Sequence, residues 1–209
     1  MSTTIRWYFD FISPFAYLHW PRVQALAQTT PIVFRPLLFA GLLEANAHKG
    51  PAEIPAKRRF TYRHVAWLAQ RLGVPLKFPP AHPFNPIAAL RLCVAAGSTP
   101  AAIEAIFAWI WRDGRAGDSV EALAPLAHAL GVDAAAWSDP AVKSQLRANY
   151  DEALARGVFG VPTLEVDGEL FWGQDAHDFA LAALADPERF TGPEWQALDS
   201  LPVGASRKP

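Results

Sequence analysis

The 209-residue sequence contains one cysteine, Cys93. A single thiol excludes an intrachain disulfide, a C-x-x-C redox pair and a cysteine-based zinc site, and it suits a reducing compartment. An excess of either charge is lacking too: 19 Lys and Arg stand against 20 Asp and Glu, for a formal net charge of -1. Nothing electrostatic therefore points to a nucleic acid or an anionic membrane as partner. No uncharged apolar run approaches the ~20 residues that span a bilayer. The first apolar stretch carries Arg6 and Asp10 and no small-residue cleavage site. A signal peptide is therefore not expected, and a cytoplasmic address is. The sequence has no P-loop, no G-x-G-x-x-G, no G-x-S-x-G, no internal repeat and no low-complexity block. Its six histidines show no metal-ligand spacing, so no metal is expected and His64, His82 and His177 read as surface or packing residues.

With 51% hydrophobic and 19% charged residues, the chain can build a sizeable core. Residues 5–11 form a short β-prone run ending at Ser13-Pro14 and read as a buried central strand. Ser13 is a natural N-cap with Pro14 at the first helical position, which predicts a helix over residues 14–28, kinked at Pro21. Residues 31–39 read as a second strand, so the chain opens β-α-β with a parallel pair. Helices follow over 57–72, with Phe60, His64 or Val65, Leu68 and Leu72 on one face, then from Asn85-Pro86 to Gly97 and from Thr99-Pro100 to about Arg112. A shorter helix capped by Asp118 runs toward Gly131 with Pro125 inside it, and a long one runs from Asp139-Pro140 to Arg156. The β signal returns at residues 163–166 and 169–172 around an Asp167-Gly168 turn, and a helix follows over 175–184. The proline-rich last ~20 residues read as a loosely ordered tail. The economical assembly is α/β: a thioredoxin-like sheet from residues 1–42 and 157–200, an all-helical insertion over 43–156 and a tail over 201–209.

Three segments can carry chemistry. Ser13 reads first as an ordinary N-cap. The same position also suits an anion, because a helix N-terminus offers unpaired N–H groups and partial positive charge, and a hydroxyl there can donate to a thiolate. Val161-Pro162 reads as a strand start or as a cis-proline that turns the Val161 backbone toward a ligand. Asp175, after Gly173-Gln174, reads as an N-cap or as a partner for a ligand ammonium group. Lesser candidates are Asn85 before Pro86, Asn46 and Lys49 on a loop, and Trp172 at a pocket wall. Cys93 reads as core.

The segment Phe9-Asp10-Phe11-Ile12-Ser13-Pro14-Phe15-Ala16-Tyr17-Leu18 resembles the opening of 2-hydroxychromene-2-carboxylate isomerases and of the related kappa-class glutathione transferases. Phe159-Gly160-Val161-Pro162-Thr163 and Phe171-Trp172-Gly173-Gln174-Asp175 resemble that family's two later motifs, and His82-Pro83-Phe84-Asn85-Pro86 a segment of its bacterial isomerase-like members. The resemblance implies a DsbA-like fold, glutathione as cofactor, a small aromatic substrate and a homodimer. It implies that Ser13 hydrogen-bonds the glutathione sulfur and that a cis Val161-Pro162 bond presents the Val161 backbone to the cysteinyl unit. It further implies that Gln174 and Asp175 hold the γ-glutamyl end. The sequence departs from the family in the loop after the second strand, where Lys49 is the candidate partner for a substrate carboxylate. Three readings stay open: a glutathione-dependent isomerase, a kappa-like transferase that consumes glutathione, and a non-catalytic thioredoxin-fold binding protein.

Overall fold

The computed structural model describes residues 4–205. The first apolar run becomes strand β1 (Ile5–Phe9), and helix α1 (Pro14–Ala27) follows. Pro21 sits inside α1, as the sequence predicts. Strand β2 (Ile32–Pro36) is shorter than expected. Phe39 opens a helix, α2 (Phe39–Ala45), because its N–H is taken 2.8 Å away by the Asp10 carboxylate rather than by a neighbouring strand. A short 3-10 turn (Pro51–Glu53) leads into α3 (Pro55–Leu72), which Gly73 closes in the left-handed conformation at φ 65°. Then come α4 (Ile87–Ala95), α5 (Pro100–Phe107) running on into a π-helical turn (Ala108–Arg112), α6 (Val120–Ala129) and α7 (Pro140–Ala155). Ser119 rather than Asp118 caps α6, its Oγ accepting from Ala122 N at 3.1 Å. Strands β3 (Thr163–Val166) and β4 (Glu169–Trp172) form the expected hairpin. Helix α8 (His177–Ala185) starts two residues later than expected, so Asp175 is not its N-cap. Part of the expected tail is a helix, α9 (Pro193–Asp199); residues 206–209 of that tail lie outside the described residues.

The sheet order is β2-β1-β3-β4, with β1 and β2 parallel and the β1–β3 and β3–β4 pairs antiparallel. β1 is therefore central, and six helices lie between β2 and β3 in the chain. This is the DsbA-like thioredoxin plan, an α/β fold with its helical block inserted between the two β-bearing ends. Among the described residues no helix is long and apolar enough to cross a membrane.

The two faces of the sheet differ because side chains alternate along a strand. Trp7 and Phe9 of β1 and Leu164 of β3 point into the main core with Trp20, Phe107, Ile110 and Trp111, where Trp7 stacks on Phe9 at 4.4 Å and on Trp20 at 5.4 Å. Cys93 is wholly buried there. Arg6 and Tyr8 point the other way, toward α7. The face expected on α3 is rotated: Val65 and Ala69 are buried against the core, while Phe60 is 68% exposed and Leu72 45%.

Between α1 and α8, the buried His19 and His177 form a directed chain. Trp7 Nε1 donates to His19 Nδ1 at 3.3 Å, which leaves His19 Nε2 to donate to His177 Nδ1 at 2.8 Å. Both rings are neutral in this arrangement. Burial, reinforced by His177 and Arg22, holds His19 down to about 3; burial, reinforced by Arg22, holds His177 to about 4. Unfolded, both titrate near ~6.5, so below that pH the unfolded chain binds protons that the folded chain refuses. Stability is therefore expected to fall as pH drops from about 6.5 toward about 4. Asp10 acts in the opposite sense: burial raises its carboxyl to about 7, so its contribution fades as pH rises through that value. Thermal melts across this window should show a shallower acid loss in a His19→Gln/His177→Gln double variant. An unchanged slope would remove the pair from the acid response.

Candidate active site

Three segments meet at one end of the sheet. Tyr8 pairs with Thr163, and Thr163 with Trp172, so the end of β1, the start of β3 and the end of β4 are in register. The chain leaving β1 carries Ser13, the chain entering β3 carries Val161-Pro162, and the chain leaving β4 carries Gly173-Gln174-Asp175. Gly173 N donates to Pro162 O at 2.8 Å and ties the last two together.

Ser13 is the N-cap of α1, with φ -87° and ψ 112°, and its Oγ accepts from Ala16 N at 3.2 Å. That bond uses one lone pair and leaves the hydroxyl proton to be donated. Ser13 is only 7% exposed. The Val161-Pro162 peptide is cis. Val161 is buried, and among the described residues neither its N–H nor its carbonyl has a protein partner. An unpaired backbone N–H and carbonyl here suit a ligand that brings its own peptide groups. Gly173 is left-handed at φ 98°, and a Cβ there would lie 2.5 Å from Asp175 Oδ1. Only glycine lets the chain turn here and keep Asp175 folded over it. Gln174 is half-buried and Asp175 exposed. A Cβ at Gly160 would lie 2.5 Å from Trp172 Nε1, so glycine at that position admits the indole, which also packs on Phe159 at 5.2 Å.

The turn that carries Ser13 is fastened by side chains from outside it. Asp10 is wholly buried; its carboxylate accepts from Ile12 N at 3.1 Å and from Phe39 N at 2.8 Å. Trp111 Nε1, from the π-helical turn, donates to Phe11 O at 2.8 Å. His82 Nε2 lies 2.9 Å from Ile12 O, which can only accept, so that nitrogen carries the proton. Burial, helped by Arg58, keeps the His82 imidazole below its ordinary value against the opposing pull of Ile12 O. The ring is therefore neutral and its Nδ1 is an acceptor, 2.8 Å from the Tyr62 hydroxyl. The His82-Pro83 bond is also cis.

His82 and His177 are packing residues, as the sequence suggests, and each is also a specific hydrogen-bonding partner. Asp10 and Trp111 are site-building residues that the sequence does not single out. Trp111 lies 100 positions from its partner, and Asp10 looks like a polar flaw in an apolar run. Of the lesser candidates, Trp172 joins the cluster over Gly160 and Phe159, and the others are not drawn into it. Asn85 is exposed and its Oδ1 accepts from Ile87 N at 3.1 Å, opening α4. Lys49 and Asn46 are exposed, and Asn46 Nδ2 donates to Leu42 O at 2.8 Å. Cys93 is sealed in the core, where burial pushes its thiol up to about 12.

A profile of the DSBA-like thioredoxin domain matches residues 4–185. A 2-hydroxychromene-2-carboxylate isomerase of Sphingobium xenophagum is 32% identical over 195 residues, covering 89% of this chain and 100% of that one. The chain belongs to the 2-hydroxychromene-2-carboxylate isomerase family, within the DsbA-like thioredoxin domains. The solved structure of a selenomethionine 2-hydroxychromene-2-carboxylate isomerase superposes with a TM-score of 0.76 at 26% identity, over 95% of this chain and 100% of the other. A Caenorhabditis elegans glutathione S-transferase kappa 2 is 28% identical over 214 residues, covering 90% of this chain and 94% of that one. Membership at this coverage supports an enzyme of isomerase type.

Proposed function

We infer that the chain is a glutathione-dependent isomerase that interconverts the ring-closed and ring-opened forms of an aromatic acid in aromatic-compound breakdown, working as a homodimer in a reducing cytoplasm. The observation that carries this reading is the constellation at the sheet end: Ser13 at a helix N-terminus, its hydroxyl proton left free to donate, and a Val161 backbone with no protein partner among the described residues. It sits in a chain whose own thiol is inert. When bound, glutathione supplies a thiolate that adds to the conjugated double bond of the substrate and leaves again, so the bond between is free to rotate. The residues fit that group. Ser13 donates to the sulfur, and the first turn of α1 adds its partial positive charge. The Val161 N–H and carbonyl pair with the cysteinyl unit. Gln174 and Asp175 take the γ-glutamyl end, with the Asp175 carboxylate toward the ammonium. Trp172, half in solvent, offers an apolar wall to the aromatic ring, and Lys49 and Asn85 are the remaining candidates for its polar groups.

Magnitudes allow Ser13 to act without a histidine base. A free thiol titrates near ~8.5, and holding it as thiolate at neutral pH takes about 2–3 kcal/mol. A helix N-terminus contributes ~0.3–1 kcal/mol, up to ~2 where partly buried. A hydrogen bond to a charged acceptor adds about 1.5–3 kcal/mol.

The test is a thiol count. With 2-hydroxychromene-2-carboxylate as substrate, trans-o-hydroxybenzylidenepyruvate should accumulate while free glutathione stays constant. Loss of one thiol per turnover would replace the isomerase by a kappa-like transferase, the reading favoured by the transferase relative. No glutathione binding at millimolar concentration by calorimetry would leave a non-catalytic binding protein.

A further inference from the structure

A cavity of about 360 Å³ lies where the Pro51–Glu53 turn meets the start of α3, walled by Ala52, Glu53, Pro55, Arg58, Arg59 and Tyr62. We propose that it is a carboxylate subsite of the active centre, with Arg59 as its principal charge and Arg58 and Tyr62 as its fixed wall. The proposal rests on the reading of Ser13 as the thiol site, and it adds a place for a charged end of one of the reactants.

The wall is mostly apolar and carries its donors on three side chains. Two guanidiniums and a phenol face a space of ligand-fragment size. The one carboxylate beside them, Glu53, is committed to its own turn, with Oε1 accepting from Gly50 N at 2.6 Å. Arg58 is immobilised: its Nη2 donates to His82 O at 2.7 Å and its guanidinium lies 5.3 Å over the Tyr62 ring. Among the described residues Arg59 has no ion-pair partner, so its fork is available for planar two-point contact with a carboxylate. The charge is not there to help the helix. The first turn of α3 has no acidic residue, and Lys57, Arg58 and Arg59 follow one another where negative charge would be stabilising.

The cavity is wired to the reacting centre. Arg58 donates to His82 O at 2.7 Å, the Tyr62 hydroxyl donates to His82 Nδ1 at 2.8 Å, and His82 in turn donates to Ile12 O at 2.9 Å, one residue before Ser13. A carboxylate seated in this cavity would thus lie against Arg58 and Tyr62, the side chains that are tied to the Ser13 turn through His82. Such a group can come from two sources, the aromatic acid or the C-terminal glycine of the tripeptide thiol.

Calorimetry with Arg59→Gln and Arg59→Lys separates them. The probes are glutathione, its glycyl ethyl ester, 2-hydroxycinnamate and the methyl ester of 2-hydroxycinnamate. Arg59 is exposed, so the variants should fold as the parent does. The expected result is that Arg59→Gln weakens one of the two acids by about tenfold and leaves its ester unchanged, with Arg59→Lys in between. Weakening of glutathione assigns the subsite to the thiol, and weakening of 2-hydroxycinnamate assigns it to the substrate. Equal affinity of both acids for parent and Arg59→Gln would overturn the subsite. If glutathione fails to bind the parent while 2-hydroxycinnamate keeps its dependence on Arg59, the subsite stands and the thiol reading falls.

Discussion

Replacing Ser13 with alanine is expected to lower turnover by about 10- to 150-fold, the equivalent of losing one hydrogen bond to a charged sulfur at about 1.5–3 kcal/mol. Part of the effect should be a matter of protonation. Without the Ser13 donor the bound thiol is left with the helix terminus alone, so its pKa rises and the acid limb of the pH–rate profile moves to higher pH. The fold should survive. Loss of the cap costs about 0.5–2 kcal/mol, but Pro14 remains at the first helical position, and the turn keeps its fastenings to Asp10, Trp111 and His82. The useful measurement is the bound thiolate's ultraviolet absorbance as a function of pH in both proteins. A Ser13→Ala enzyme with the parent's thiolate titration and the parent's pH–rate profile would take Ser13 out of the chemistry.

The second large effect falls on stability. Glu165 sits on β3 directly across from Arg6, with a side chain only 1% exposed. Its Oε1 meets Arg6 Nη1 at 3.0 Å and Arg156 Nη1 at 2.8 Å, and its Oε2 accepts from Tyr8 at 2.8 Å. Glu152 of α7 completes the network, pairing with Arg6 at 2.9 Å and Arg35 at 2.7 Å. Burial, followed by the bond to Glu165, raises the Tyr8 phenol well above its ordinary value, so it stays protonated and donates. Glu165→Ala leaves Arg6 and Arg156 short of a counter-charge beneath the sheet, and it should cost about 3–5 kcal/mol in urea unfolding. Glu165→Gln keeps the shape and one acceptor and should cost less. A Glu165→Ala loss below about 1 kcal/mol would mean that water reaches the arginines and the network is not truly buried.

The contrast between these sites explains what the sequence could and could not reveal. The β1–α1 turn, the Asp167-Gly168 hairpin and the Gly157–Thr163 approach to β3 were legible because each is written in neighbouring residues: a cap before proline, a turn pair, a proline at a strand start. The same local logic overextended β2. Leu37-Leu38-Phe39 continues an apolar run, and only the Asp10 carboxylate, 29 residues away, turns Phe39 into a helix start. At α6 two cap-capable residues stand side by side, and composition cannot choose Ser119 over Asp118. His82, Trp111 and Glu165 went unread for a related reason. Their meaning lies in partners 70, 100 and 159 positions away, and no spacing rule reaches that far. The Arg6-x-Tyr8 alternation in β1 was the one available hint that the second face of the sheet is polar.

The sealed position of Cys93 also has a practical use. Its thiol is wholly buried and burial pushes it up to about 12, so a thiol-specific reagent added to the native protein has nothing on the chain to attack. The protein is thus its own blank in every assay that counts sulfhydryl groups. The arrival of one extra equivalent per chain then serves as a clock for global opening of the core.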